Sequence, residues 1–219
     1  MDESSPRNGR TMFACLVGVS QVLGLASVVL TGVWLGQYRG GFAWDASPQE
    51  FNLHPLCMVL GLVFLQGDGF VAVFDVHRAS KIPDMYSLHS WCGMATFILF
   101  CVQWVVGLMF FLFPVTSSWL RAAYLPIHVF CGLVLLVMCI GSCLTGITEK
   151  LLFTIAPTYS LFASEGVMAN VLGILLVGYG VLLVYLVTKE EYRRPPNPEE
   201  ESLSVHFKTL TEGESPTSP

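Results

Sequence analysis

The chain has 219 residues, 53% of them hydrophobic and only 12% charged, with a mean hydropathy of +0.63. A soluble domain of this size needs far more charge on its surface, so lipid is the solvent for most of the chain. The net charge of −5 comes mainly from acids in the tails, and no basic patch of the kind that neutralises phosphates is present, which excludes nucleic acid as a partner.

Residues 1–11 read as a polar N-terminal tail, not as a cleaved signal: the chain opens with Asp2 and Glu3, and the apolar run that follows is too long for a signal core. Residues 12–36 then provide the roughly 20 apolar residues that a helix needs to cross a hydrocarbon core, with Gln21 the strongly polar exception. The stretch 54–74 is also long enough, but Gln66, Gly67, Asp68 and Gly69 interrupt it. A carboxylate at membrane depth is costly and paired glycines weaken a helix, so two readings stay open: a fifth span, or a re-entrant hairpin. Residues 88–113, 125–147 and 166–188 are three further clear spans, and 189–219 is expected to be a disordered, charged and proline-rich tail. The fold class is therefore all-α: a multi-pass transmembrane helical bundle over residues 12–188 with five apolar segments.

Positive charge bears on the open question. With a hairpin and an inside N-terminus, Arg7, Arg10, Arg121, Lys189, Arg193 and Arg194 lie inside, against Arg39, Arg78, Lys81 and Lys150 outside. Five full spans give an even split, so the hairpin is favoured. The seven cysteines all lie in apolar stretches, which is packing and not a disulfide framework. Phe110, Phe111 and Phe113 read as packing or lipid-facing residues, and Met58 and Met138 as core.

Three of the five histidines sit at helix ends beside apolar runs: His54, His89 and His128. Taken singly each suits an interfacial role, but imidazole is a common axial ligand of haem iron, and three in one setting point to ligation. His89 and His128 begin successive spans, so they lie near opposite faces and one haem cannot join them.

The strings HPLCMVLGLVFLQG, VFDVHR, YSLHSWCG, QWVVGLMFFLFP, LPIHVFCG, EGVMANVLG and FKTLTEGESP resemble the cytochrome b561 family, and within it the vertebrate form of chromaffin-granule and other neuroendocrine secretory vesicles. The resemblance implies six helices and two b-type haems, each held by two histidines, passing electrons from cytosolic ascorbate to monodehydroascorbate inside the vesicle. It implies that His54 and His89 hold the non-cytosolic haem b and that His128 is one ligand of the cytosolic one. It places Asp84, Met85, Tyr86 and Ser87 at the luminal rim of the first haem, with Glu149 near it. It assigns Arg121 to ascorbate and Arg194 to the propionates of the cytosolic haem, and both tails to the cytosol. A secretory-vesicle membrane and a homodimer are further expectations, and a ferric-chelate reductase is an alternative activity of the same haems.

The chain departs from the family where LQG runs almost directly into DGFVAVFD. Roughly thirty residues are missing, about one helix and its loop, with the join at Gln66–Gly69. The missing part would supply the second ligand of the cytosolic haem and basic residues that dock ascorbate. His77, expected in the loop before His89, and His206, in the tail, are poorly placed to replace it. Full crossing by 54–74 would carry His54 to the face of His128 and break its pairing with His89. A shortened, non-catalytic form binding one haem or none is accordingly a second reading.

Overall fold

The computed structural model describes residues 4–61, 63–112 and 116–193. Its elements are helices α1 (Ser4–Tyr38), α2 (Pro48–Phe51), α3 (Leu53–Leu60), α4 (Val63–Ser80), α5 (Leu88–Gly107), α6 (Ser118–Tyr159) and α7 (Ser164–Thr188), with a π-helical turn at Leu108–Leu112 and a short 3₁₀ turn at Glu190–Tyr192. Among the described residues there is no strand, and four helical stretches are long and apolar enough to cross a membrane: Gly9–Tyr38, Leu88–Leu112, Ser118–Tyr159 and Ser164–Thr188.

The expected count of five apolar segments is corrected to four spans plus a hairpin. Residues 54–74 do not form one helix. α3 stops at Gly61, which takes a left-handed conformation (φ 70°) and donates its N–H to the Cys57 carbonyl. A non-glycine residue is strained in that conformation. The chain then returns as α4 against α3. The polar segment Gln66–Gly69 is not the break: it lies within α4. Gly69 is needed there because a Cβ would stand 3.0 Å from Met58 Cε and 3.1 Å from Cys57 Cβ. Its missing side chain is what lets the two arms pack.

Hydroxyl caps set the helix starts. Ser87 accepts the Ser90 N–H at the head of α5, and Ser117 accepts that of Leu120 at the head of α6. α6 runs past the expected end at 147 as far as Tyr159, bending at Ile155 (φ −133°), two residues before Pro157. α1 begins at Ser4, so part of the expected tail is helical.

The spans alternate in direction. α1 and α7 run antiparallel: Phe13 packs on Tyr192 at one end (ring centroids 5.0 Å apart), and Arg39 reaches Glu165 at the other. The end holding the start of α1, the start of α6 and the end of α7 is called here the terminal face. The opposite end, holding the mouth of the α3–α4 hairpin and residues 81–87, is the hairpin face. A core of Trp34, Leu35, Leu151, Ala169, Leu172 and Leu176 joins α1, α6 and α7. In lipid such cores hold by close packing, and polar groups must be paired. One oxygen of Glu165 accordingly accepts from Trp34 Nε1 (2.9 Å) and from the Arg39 guanidinium. The buried hydroxyls of Ser27 and Thr31 donate to carbonyls four residues back.

Candidate functional site

α5 and α6 cross in a single antiparallel register in which a polar side chain of one helix repeatedly faces a glycine or serine of the other. A Cβ at Gly146 would lie 2.6 Å from His89 Cε1, and one at Gly107 would lie 3.0 Å from His128 Cε1. Between these pairs, Gly93 faces the Ser142 hydroxyl and Gly132 faces Gln103. The glycines form notches in which imidazole rings lie against the opposing backbone. The two notches are eighteen residues apart along each helix, or about 27 Å at 1.5 Å per residue.

At the hairpin face the notch region brings two imidazoles together. The His54 and His89 rings stand 6.0 Å apart, centroid to centroid, at an interplanar angle of 80°. His54 Nδ1 lies 3.1 Å from the Gly69 carbonyl, and His89 Nδ1 lies 2.9 Å from the Ser142 carbonyl. A carbonyl only accepts, so each Nδ1 carries the proton and each Nε2 keeps its lone pair for a metal. Two metal–imidazole bonds of about 2 Å plus the two ring radii come to roughly 6 Å. The centroid separation of the pair matches the spacing that two imidazoles on one haem iron require. α3 is held for this by Asn52, whose Nδ2 donates to the carbonyls of Arg39 (3.1 Å) and Gly41 (2.7 Å).

The expected rim residues gather at the same face. Ser87 donates to Glu149 Oε2 at 3.3 Å while capping α5. Asp84 pairs with His77 Nδ1 at 3.0 Å. Met85 takes a left-handed backbone (φ 57°), and its carbonyl accepts from Trp91 Nε1 at 2.8 Å. The Tyr86 phenol is raised from its ordinary value, by partial desolvation first and by the Glu149 charge second. His77 is corrected from a loop residue to a member of the last turns of α4, where it stacks on Phe51. Lys150 lies over that same ring, 4.1 Å from its centroid.

The terminal face is different. His128 packs against Phe111 (5.2 Å) and Tyr124 (5.6 Å), and its backbone carbonyl accepts from Gln103 Nε2 at 2.6 Å. Its Nδ1 is buried with no hydrogen-bond partner. The ring borders an open cavity of about 370 Å³ whose walls include Phe100, Gln103, Trp104 and Phe111. Among the described residues no second histidine borders it, so this site does not fit a bis-imidazole haem. Arg121 is in the first turn of α6 at this face. Arg194 lies outside the described residues, as does His206.

The resemblance implies the pairing of His54 with His89, and the structure brings the two rings together; the sequence does not show the close approaches at Gly69, Gly107 and Gly146 or the carbonyls of Gly69 and Ser142. Their only signal is spacing on two helices whose register is not visible in one of them.

Comparison with known proteins places the chain. Residues 68–154 match the eukaryotic cytochrome b561 family, and the match begins inside the Gln66–Gly69 segment. The transmembrane ascorbate-dependent reductase of Sus scrofa is 49% identical over 235 positions, covering 92% of this chain and 93% of its own. That of Homo sapiens is 46% identical over the same shares. A plasma membrane ascorbate-dependent reductase of Rattus norvegicus is 37% identical over 85% of this chain and 78% of its own. Since 92% of 219 residues is about 201, about 34 of the 235 positions aligned with the pig protein face no residue here.

Proposed function

Because the chain belongs to the eukaryotic cytochrome b561 family, and is an integral multi-pass membrane protein of it, we propose that it is an ascorbate-dependent oxidoreductase that moves single electrons through haem b held between His54 and His89. The observation carrying this reading is the pair of perpendicular imidazoles 6.0 Å apart, each with Nδ1 on a backbone carbonyl. Haem b, when bound, supplies a one-electron ferric/ferrous couple.

The chain's own residues hold and orient. Gly69 and Gly146 let the two ligands close on the backbone, while Ser87 and Glu149 fix the head of α5 and so the ring of His89. Tyr86, Met85 and Asp84 form the rim, which in this reading faces the vesicle lumen and monodehydroascorbate. Arg121 at the opposite, cytosolic face grips the ascorbate enolate through two parallel N–H bonds. Arg194 is proposed to contact propionates, and the membrane is proposed to be that of a secretory vesicle, with the chain as a homodimer.

A second reading rests on the single imidazole at the terminal face. In that reading the chain is a shortened, non-catalytic form that binds one haem or none and does not carry electrons across the roughly 27 Å between the two faces.

Oriented proteoliposomes of the purified chain separate the two readings. The first expects a dithionite-reducible haem that ascorbate also reduces from the terminal face, with Arg121→Ala slowing ascorbate severalfold and leaving dithionite reduction unchanged. Reduction by ascorbate from the hairpin face alone supports the second. A colourless polypeptide overturns the first, and equal ascorbate kinetics in Arg121→Ala and parent remove Arg121 from the donor site.

A further inference from the structure

The two imidazoles at the hairpin face are seated on carbonyls that are not equivalent. The Ser142 carbonyl accepts His89 Nδ1–H at 2.9 Å, and it also accepts the Thr145 hydroxyl at 2.9 Å. The Ser142 hydroxyl lies a further 3.4 Å from the same His89 nitrogen. At the other ligand, the Gly69 carbonyl takes His54 Nδ1 at 3.1 Å with no second side-chain donor among the described residues.

Threonines in lipid-embedded helices commonly return their hydroxyl to a carbonyl three or four residues back. Thr96, Thr148 and Thr154 do so here. Thr145 is set apart by where its bond lands: of these hydroxyls it alone shares an acceptor with a ligand imidazole. It also has an alternative, the Gly141 carbonyl at 3.1 Å. Two donors on one carbonyl compete for the same electron density, so each bond is weaker than it would be alone. The strength of a ligand's Nδ1–H bond governs how much electron density its imidazole gives to a metal.

We propose that Thr145 is a positioning residue that tunes the His89 seat: by drawing on the Ser142 carbonyl it weakens the His89 Nδ1–H bond, limits the anionic character of the ring, and keeps the reduction potential of the haem higher than an unshared carbonyl would. The proposal rests on the assignment of His54 and His89 as haem ligands. Thr145 is exposed on the outer side of α6, so removing its hydroxyl leaves the α5–α6 packing in place.

The test is an equilibrium redox titration of the full-length purified chain, its Thr145→Val variant and its Thr145→Ser variant, read at the haem band together with haem content. Thr145→Val is isosteric and lacks the donor; Thr145→Ser keeps it. At a fixed ambient potential the reduced-to-oxidised ratio is expected to fall about three- to tenfold in Thr145→Val, where tenfold is about 59 mV for one electron. Thr145→Ser is expected to match the parent, and haem content to be equal in all three. A Thr145→Val ratio equal to or above that of the parent overturns the tuning role while leaving the ligand assignment standing. Loss of haem in Thr145→Val alone also overturns it, since the hydroxyl would then be holding the seat together. A parent chain that retains no haem removes the ligand assignment, and the proposal with it.

Discussion

The two faces of this bundle hold imidazoles in notches cut by the same device, yet among the described residues only one face has a pair. At the hairpin face His54 and His89 meet 6.0 Å apart, each with Nδ1 on a carbonyl. At the terminal face His128 rests in the Gly107 notch, its Nδ1 unpartnered and its open side on a cavity. The difference traces to α3 and α4. By turning at Gly61, the hairpin returns to the face it left, so a chain shortened by about one helix keeps His54 beside His89. A complete extra span would have reversed every later helix relative to α3. Among the described residues, the turn keeps two imidazoles together at one face and leaves a single one at the other.

The sharpest way to break this comparison is to remove one imidazole from each face. His89→Ala is expected to abolish the reduced-minus-oxidised haem band, and His128→Ala to leave it at parental intensity. The opposite pattern would place the working site at the terminal face.

A second contrast concerns what ties each face together. The hairpin face is braced by Glu165 with Arg39 and Trp34, while Phe13 and Tyr192 meet at the terminal face through ring contact. Glu165→Gln leaves the Arg39 charge poorly matched, and breaking a buried pair of this kind costs about 3 kcal/mol or more. Thermal unfolding in detergent checks this; a transition unchanged from the parent would mean the pair is solvated and weak.

The notches offer a subtler contrast. Gly146→Ala puts a Cβ 2.6 Å from His89 Cε1 and should cut haem occupancy about tenfold, by the 1–3 kcal/mol typical of overpacking. Gly107→Ala crowds His128 instead and should leave occupancy unchanged. Equal loss in both would show that the glycines serve only helix packing. Smallest is Ser87→Ala, which removes the α5 cap and the Glu149 contact. It should lower stability by about 1 kcal/mol and broaden the haem band without abolishing it, a change that absorption and thermal melts on one sample would detect.

Much of this architecture is legible in the residues themselves. The four spans follow from apolar length, and the basic residues favour the hairpin over a fifth crossing because Arg39, Arg78, Lys81 and Lys150 then share a face. The position of the turn is not legible. Gln66–Gly69 carries every local sign of a break, whereas Gly61 sits unmarked in an apolar run. The outcome depends on tertiary contact, since α4 carries Gly69 where the Met58 and Cys57 side chains of α3 need the space. His77 lies outside the apolar run and so reads as loop, but basic side chains suit the last turn of a helix, where His77 and Arg78 stand. Likewise Thr148, Glu149 and Lys150 read as the end of a span, while α6 continues through them to Tyr159. At the site, the ligand residue types announce themselves. Their seats are backbone carbonyls and missing side chains, which no residue type signals.

The most direct test of the account is the ratio of haem to polypeptide in the purified full-length chain. One haem b per chain is the predicted result, held at the hairpin face by two imidazoles. Two per chain would mean that the lone His128 has found a second ligand, and none would mean that the 6.0 Å pair does not bind iron; either contradicts the asymmetry between the faces.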